Sequence, residues 1–370
     1  MHCLLAPDSF KGCLSAQQAA RAMASGILRA DPTAKCTLQP MADGGEGTLA
    51  VLRQSLGGRW LRFTADDLTG RPRQVACLLL DDGTAMIEVA RIVGLPMAAG
   101  FPLMRRSSRG VGQLIGACLD AGCSRLVLTL GGSGTNDGGA GCLAALGAVW
   151  LDERDRPLDG SPAALLDATR VDLSGLNPRL AQTPIEIWCD VDHPLLGERG
   201  ATSVFGRQKG AGELDLPLLE TALANMANLL APELASRPGG GAAGGLGFAL
   251  GFLGASQRSG AAAVADLCRL DQKIAAADWV LTGEGRTDAQ TLAGKAPFEV
   301  ARRARAAGVP VSLIAGSVEP LPALAAAFDG LFSLCRGPIS LAYAKSHAAA
   351  LLAESAEQMA RLARARSVGR

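Results

Sequence analysis

Five short loops of this chain combine glycine with acidic residues, and each is expected where a β-strand ends. Glycine lets the backbone approach a ligand closely, and successive amides can hold anionic oxygens. Carboxylates in the same loops can bind Mg²⁺ or accept a proton from a hydroxyl. This pattern indicates an enzyme that handles phosphate with a metal ion. The loops are APDSFKG (6–12), MADGGEGT (41–48), LGGSGTNDGGAG (130–141), CDVDHPLLG (189–197) and LTGEGRTD (281–288).

The loop 130–141 is the strongest candidate for binding phosphate. It follows an apolar strand predicted over 125–130, contains six glycines and precedes a helix. Backbone N–H groups and the positive end of the helix dipole would therefore point at one place. A tight turn explains some of these glycines but not all. Together with a lysine of the segment FGRQKGAG, the predicted nucleotide-binding residues are Gly131, Gly132, Ser133, Gly134, Asn136, Asp137 and Lys209.

Charged side chains in the other loops are candidates for catalysis. Lys11 lies just past the first strand, where open α/β sheets bind their ligands, and it can neutralise a carboxylate or a phosphoryl group. Arg286 is suited to a bidentate grip on either anion. An internal ion-pair network is the alternative for the cluster 284–295. We predict the catalytic residues Lys11, Asp43, Asp190 and Arg286 and the substrate-binding residues Ser9, Glu284, Asp288 and Lys295.

Two aspartates at the end of a strand predicted over 185–190 are candidate metal ligands. Asp190 and Asp192 alternate, so both face one side only if the strand has already ended. We predict both as Mg²⁺ ligands, with Asp190 and Asp43 each open to a role as base or as ligand. Cys189 and His193 lie four residues apart, and we interpret them as a core cysteine and a loop histidine.

The composition excludes several classes of protein. A net charge of +1 and 4% aromatic residues favour neither a nucleic acid nor a membrane as partner. Ten cysteines without a CxxC motif and only three histidines argue against a zinc site and indicate reduced thiols, so we expect a cytoplasmic protein. The longest uncharged stretch, 239–257, contains eight glycines and is a poor membrane span.

The order of predicted elements indicates an α/β protein of two domains, because 370 residues exceed what one hydrophobic core usually supports. Strand–loop–helix units occur at both chain ends, while 73–89 is predicted as an antiparallel hairpin and 150–177 as irregular and peripheral. We therefore predict a Rossmann-like parallel-sheet domain built from 1–62 and 290–370, interrupted by an inserted mixed α+β domain, 63–289. The active site is expected in the cleft between them.

Two other classes of function could use glycine-rich, charged loops. A nicotinamide-dependent oxidoreductase needs a GxGxxG fingerprint after its first strand, and the match at 239–244 follows Pro238 and polar residues instead. The 239–244 glycines fit better as the start of a helix that packs tightly on a neighbouring element. A non-catalytic sensor of nucleotides or sugar acids would need neither a base nor several cationic groups.

Read together, the segments resemble the class I glycerate kinase family. APDSFKG, MADGGEGT, LGGSGTNDGGAG, CDVDHPLLG with FGRQKGA, PGGGAAGGLG and LTGEGRTDAQTLAGKAP occur in the order of the family. The resemblance implies ATP- and Mg²⁺-dependent phosphorylation of D-glycerate at the 2-hydroxyl, giving 2-phosphoglycerate. A product phosphorylated at the 3-position and a related small hydroxy acid as substrate are the alternatives. We expect a monomer or homodimer. His193 and Arg109 depart from the family pattern, which bears on substrate preference.

Overall fold

The computed structural model describes residues 1–335 and 337–367. Its strands are β1 His2–Leu5, β2 Lys35–Leu38, β3 Arg59–Asp66, β4 Pro72–Leu79, β5 Thr84–Glu88, β6 Arg125–Thr129, β7 Val149–Leu151, β8 Pro157–Leu158, β9 Arg170–Asp172, β10 Ile185–Trp188, β11 Ser256–Arg258, β12 Trp279–Thr287, β13 Val311–Val318 and β14 Gly330–Ser333. Its α-helices are α1 Ala16–Ala30, α2 Thr48–Leu56, α3 Ala90–Val93, α4 Arg109–Asp120, α5 Ala140–Ala145, α6 Pro162–Leu165, α7 Ala201–Phe205, α8 Asp215–Leu230, α9 Ala242–Phe252, α10 Gly260–Leu267, α11 Leu270–Ala275, α12 Ala289–Leu292, α13 Ala296–Ala306, α14 Pro322–Ala327, α15 Leu341–Ser346 and α16 Ala348–Ser367.

Contacts divide the chain into two compact units. The first unit comprises Met1–Asp43, Ala50–Leu56 and Ser259–Arg370, and the second comprises Gly44–Leu49 and Gly57–Arg258. These units differ from the predicted domains at 44–49, 57–62 and 259–289. The difference at 279–287 arises because β12 pairs with β1 and β13. The predicted domain boundaries, and the prediction that an active site joins the domains, stay predictions.

A five-stranded parallel sheet forms the centre of the first unit. Its strand order is β14-β13-β12-β1-β2, and all four pairings are parallel. The alternation predicted at both chain ends is therefore confirmed as an α/β sheet. Because all strands run the same way, their carboxyl ends meet at one edge.

Helix α1 of the first unit begins with a capping box. Ser15 accepts a hydrogen bond from the Gln18 amide, and the Gln18 side chain accepts one from the Ser15 amide. The buried face of α1 packs on α16 through small residues, among them Gly26, Ala353 and Ala356.

A six-stranded mixed sheet forms the centre of the second unit. Its order is β11-β10-β6-β5-β4-β3; the pairings from β11 to β5 are parallel, and β5-β4 and β4-β3 are antiparallel. The predicted hairpin of β4 and β5 is present. The chain thus has an α/β fold with one parallel and one mixed sheet.

The prediction that 150–177 is irregular and peripheral is wrong. Strands β7, β8 and β9 form a small antiparallel sheet there. Trp150 is fully buried, and its indole N–H donates to the Ala140 carbonyl oxygen at 3.1 Å. Short strands of two or three residues carry too little alternation for a sequence pattern to detect.

One other boundary differs from the predicted ones. The segment LTGEGRTD is not a loop, because β12 continues to Thr287 and pairs with β13 over Val280 to Thr287. The glycine-rich helix α9 begins at Ala242, within the 239–244 match, and Gly244 has a φ of 69°. A Cβ at Gly244 would stand 2.0 Å from the Thr135 carbonyl oxygen. The 239–244 glycines therefore belong to a tightly packed helix entry.

None of the helices within the described residues has both the length and the apolar run needed to cross a membrane.

Candidate active site

A cavity of about 660 Å³ opens at the carboxyl edge of the parallel sheet in the first unit. Residues that follow β1 and those in and after β12 and β13 line it, because these three strands are neighbours in the sheet. Apolar residues also line the cavity, among them Ile339, Leu341 and Ala344. The cavity brings together the predicted residues Ser9, Lys11, Asp43, Glu284, Arg286, Asp288 and Lys295.

Asp8 is a cavity residue that the prediction did not include. It is 6% exposed, and the Ser9 amide donates to its Oδ1 at 2.6 Å. Burial raises the pKa of Asp8 well above its ordinary value, and the neighbouring Asp43 charge raises it further. Asp8 lies shortly after the first strand in APDSFKG, but the sequence alone does not distinguish it from an acid that caps a turn.

Glu284 and Asp288 hold the next part of the cavity wall in place. Glu284 is buried within β12 and accepts hydrogen bonds from the Thr287 hydroxyl at 3.0 Å and the Thr291 hydroxyl at 2.6 Å. Burial raises the pKa of the Glu284 carboxyl. Asp288 caps α12 and accepts from the Gln290 amide at 3.0 Å. Both carboxylates are therefore fixed by the protein.

The same two carboxylates pair with two of the cavity cations. Lys295 Nζ lies 3.9 Å from Glu284 Oε2 and 3.8 Å from Asp288 Oδ1, and Arg286 Nε lies 3.2 Å from Asp288 Oδ2. The ion-pair network weighed as an alternative for 284–295 is therefore present. It also orients Arg286 and Lys295 at the cavity, so a structural role and a binding role are compatible.

The glycine-rich loop 130–141 of the second unit is organised around Asp137. The buried Asp137 carboxylate accepts from the Ser108 amide at 2.6 Å, the Ser108 hydroxyl at 2.7 Å and the amides of Gly139 and Gly141. Burial raises its pKa. Asn136 is also buried and donates to the Thr202 hydroxyl at 3.0 Å. In this structure both side chains stabilise the loop itself.

Packing accounts for much of the glycine content of this loop. A Cβ at Gly131 would stand 2.8 Å from the Gly45 Cα, one at Gly138 2.3 Å from the Met226 Sδ, and one at Gly139 2.5 Å from the Ala249 Cβ. The amides of Gly131, Gly134 and Gly138 donate to carbonyl oxygens elsewhere in the unit. Only part of the loop is therefore available to a phosphate, and its nucleotide-binding role stays a prediction.

Lys209 is buried against the same loop. Its Nζ donates to the Thr135 carbonyl oxygen at 2.8 Å and approaches the Ser133 hydroxyl at 3.4 Å. Arg106 donates to the Gly134 carbonyl oxygen at 3.0 Å. Burial lowers the pKa of Lys209 to about 7, and the Asp137 charge opposes that shift. Sequence reasoning did not include Arg106, which lies far from the loop in the chain.

The predicted metal ligands lie in one loop after β10 of the second unit. Asp192 is exposed and pairs with Arg199 at 3.3 Å, while Asp190 is half-buried. His193 Nδ1 lies 2.9 Å from the Arg199 carbonyl oxygen, which supports its interpretation as a loop histidine. Within 1–335 and 337–367, no group of three or more His, Cys, Asp or Glu side chains is arranged to hold a metal ion.

An α/β sheet whose carboxyl edge carries acidic and cationic side chains around one cavity is the arrangement of an enzyme acting on small anions. Comparison with known proteins identifies the family to which this enzyme belongs. The model of the glycerate kinase family matches residues 3–364. The chain therefore belongs to the glycerate kinase family, and it is a phosphotransferase.

Individual relatives agree with the family model. The chain is 40% identical to a glycerate kinase of Bacillus subtilis (strain 168), with 97% of each chain covered. It is 38% identical to the glycerate 2-kinase of Escherichia coli (strain K12) over 86% of each chain. A crystal structure of a Salmonella typhimurium LT2 protein assigned as glycerate kinase 2 superposes with a TM-score of 0.84 at 37% identity, covering 99% of both chains.

Proposed function

We propose that the chain transfers the terminal phosphoryl group of ATP to the 2-hydroxyl of D-glycerate, forming 2-phosphoglycerate. The observation that carries this proposal is the cavity of the first unit, whose charged side chains match the charged and polar groups of glycerate. Cations can bind the glycerate carboxylate, and carboxylates can bind its hydroxyls or a metal ion. Membership of the family supplies the reaction class and the relatives supply the substrate.

The cations of the cavity would bind and orient the anions. Lys11 is exposed at the cavity and is free to follow a ligand, whereas Arg286 and Lys295 are held by Asp288 and Glu284. Phosphoryl transfer depends mainly on positioning and on stabilising charge, so these three residues can lower the barrier without covalent chemistry. Ser9, Glu284 and Asp288 would then bind the hydroxyl groups.

Mg²⁺ fits the donor set of the same cavity. Asp8 and Asp43 place two carboxyl groups close enough for the charge of Asp43 to raise the pKa of Asp8, and a divalent cation would remove that repulsion. When bound, Mg²⁺ neutralises negative charge on phosphate oxygens. We propose Asp8 and Asp43 as its ligands. The roles of Asp190 and Asp192 as metal ligands, and of Asp190 as base, stay predictions. In this structure Asp192 pairs with Arg199.

The nucleotide would bind at the loop 131–137 together with Lys209, in line with the sequence. The rigid hydrogen bonding of Asp137 and Arg106 supports this proposal, because a preorganised backbone loses little entropy on binding a ligand. A cytoplasmic location is proposed from the free thiols of all ten cysteines.

An assay of ADP release tests the proposed function. ADP should form only when D-glycerate, ATP and Mg²⁺ are all present. Turnover of ATP without glycerate would contradict the proposal. Reduction of a nicotinamide cofactor by glycerate would instead indicate an oxidoreductase.

A further inference from the structure

A fourth cation lines the cavity of the first unit and belongs to none of the glycine-rich loops. Lys345 lies in the last turn of α15, fifty residues after Lys295, the nearest predicted site residue. Neither its neighbours AYAKSH nor its spacing marked it in the sequence. The fold places it on the same cavity as Lys11, Arg286 and Lys295.

The four cations differ in whether a carboxylate of the protein lies within ion-pair distance of them. Arg286 pairs with Asp288, and Lys295 lies near both Glu284 and Asp288. Across the described part of the chain, no ion pair forms at Lys11 or at Lys345. Among the cavity cations that the structure describes, Lys11 and Lys345 are therefore the two that no ion pair holds, although the Lys11 charge acts on the nearby Asp8 carboxyl and lowers its pKa. An external anion can pair with both lysines.

The turn after Lys11 leaves space for the Lys345 ammonium group. Lys345 Nζ lies 3.7 Å from the point where a Cβ would stand at Gly12. Gly12 has a φ of 78°, a conformation that side-chain-bearing residues rarely adopt. The Lys345 ammonium group thus lies against the backbone of the Lys11 turn, and two like charges are held beside one segment of chain.

We propose that Lys345, together with Lys11, binds a small oxyanion in this cavity. The inference rests on the proposed function, in which two ligands present such a group: the carboxylate of the hydroxy acid and a phosphate of the donor or product. Lys345 is then a binding residue supplied by α15. This segment would take part in selecting substrates by charge.

Steady-state kinetics distinguish the two sources of the oxyanion. Lys345→Met keeps most of the aliphatic stem and removes the charge, Lys345→Arg keeps the charge, and Lys35→Met serves as the control on an exposed strand residue. We expect Lys345→Met to raise the KM of one substrate, D-glycerate or ATP, about 10-fold and to change kcat by less than about 2-fold. This is the effect of losing one charged hydrogen bond that is equally strong in the ground state and the transition state. A rise in KM for D-glycerate identifies the carboxylate, and a rise in KM for ATP identifies a phosphate. Lys345→Arg should restore most of the loss.

Chemical protection provides a readout that does not depend on turnover. The protein is acetylated with and without D-glycerate or inorganic phosphate, and the acetylation of each lysine is followed by mass spectrometry. We expect either ligand to slow acetylation of Lys345 and Lys11 and to leave Lys35 unchanged. Unprotected Lys345, or unchanged KM values in active Lys345→Met, would overturn the inference. A wild-type protein without glycerate-dependent ADP release would overturn the proposed function instead, while protection by phosphate would still support the oxyanion site.

Discussion

Single residues of the cavity divide into those held by the protein and those open to a ligand. Glu284 is fixed by two threonine hydroxyls, and Asp288 by the start of α12. Lys11 is exposed and forms no ion pair with the residues that the structure describes. The first group gives the cavity its shape, and Lys11 supplies a charge that is available to pair with a ligand.

Removal of the Lys11 charge should therefore affect catalysis and not stability. We expect Lys11→Ala to lower kcat/KM for D-glycerate by roughly 10²–10³-fold, the loss typical of one preorganised charge-stabilising group. The thermal unfolding midpoint should change by less than about 1 °C, because an exposed loop lysine contributes little packing. The measurement is steady-state kinetics with a thermal melt, and Lys35→Ala is the control. Near-normal kinetics, or an unfolded variant, would assign Lys11 a structural role.

Local sequence was sufficient to predict most of this cavity and insufficient for the rest. Lys11 and Asp43 lie in glycine-containing motifs after strands, and Arg286 lies in a glycine-containing motif that continues β12. Asp8 was missed because only its burial beside Asp43 distinguishes it from a turn-capping acid. Lys345 was missed because tertiary structure alone brings α15 to the turn at Gly12.

At the scale of elements, parallel pairing is what assembles the cavity. β12 lies between β1 and β13, so residues distant in sequence reach one sheet edge. The helices that cover this sheet pack closely, and α1 meets α16 where Gly26 faces the backbone of Ala353. Small residues at that contact explain part of the high alanine and glycine content.

Gly26→Ala should destabilise the protein although alanine is the better helix former. A Cβ at Gly26 would stand 1.9 Å from the Ala353 carbonyl oxygen, so α1 and α16 would have to move apart. We expect a loss of about 1–3 kcal/mol in unfolding free energy, as for an overpacked core. Gly116→Ala in α4 is the matched control, because its added methyl meets no atom within 4 Å and should stabilise by up to about 1 kcal/mol. Urea denaturation measures both; equal stability of the two variants would show that α1 and α16 can separate freely.

The whole molecule contains two units, and sequence patterns predicted their sheets better than their limits. The apolar strands and the capping box of α1 follow directly from local patterns. The assignment of β12 to the first unit depends on pairing between residues that lie far apart in the chain. Strand β3 was not predicted, although Gly57 and Gly58 before it and Gly70 after it mark turns.

Stability of the whole molecule should depend on pH through Lys209. Burial lowers its pKa from 10.5 to about 7 in the folded protein, so the unfolded chain holds this proton over a pH range in which the folded chain has lost it. The cost of the buried charge is fully present below pH 7 and is relieved as the pH rises toward 10.5. The unfolding free energy of wild type minus that of Lys209→Met should then increase by up to about 1.4 kcal/mol per pH unit above neutrality. Urea denaturation from about pH 6 to about pH 9 measures this difference; a constant difference would show that Lys209 stays charged.

The identity of the product tests the central claim most directly. The chain is incubated with D-glycerate, ATP and Mg²⁺, and the product is identified by phosphorus NMR against authentic 2- and 3-phosphoglycerate. We expect a single new phosphomonoester that coincides with 2-phosphoglycerate and forms in equal amount to ADP. Formation of 3-phosphoglycerate would contradict transfer to the 2-hydroxyl, and inorganic phosphate as the only product would contradict a kinase acting on glycerate.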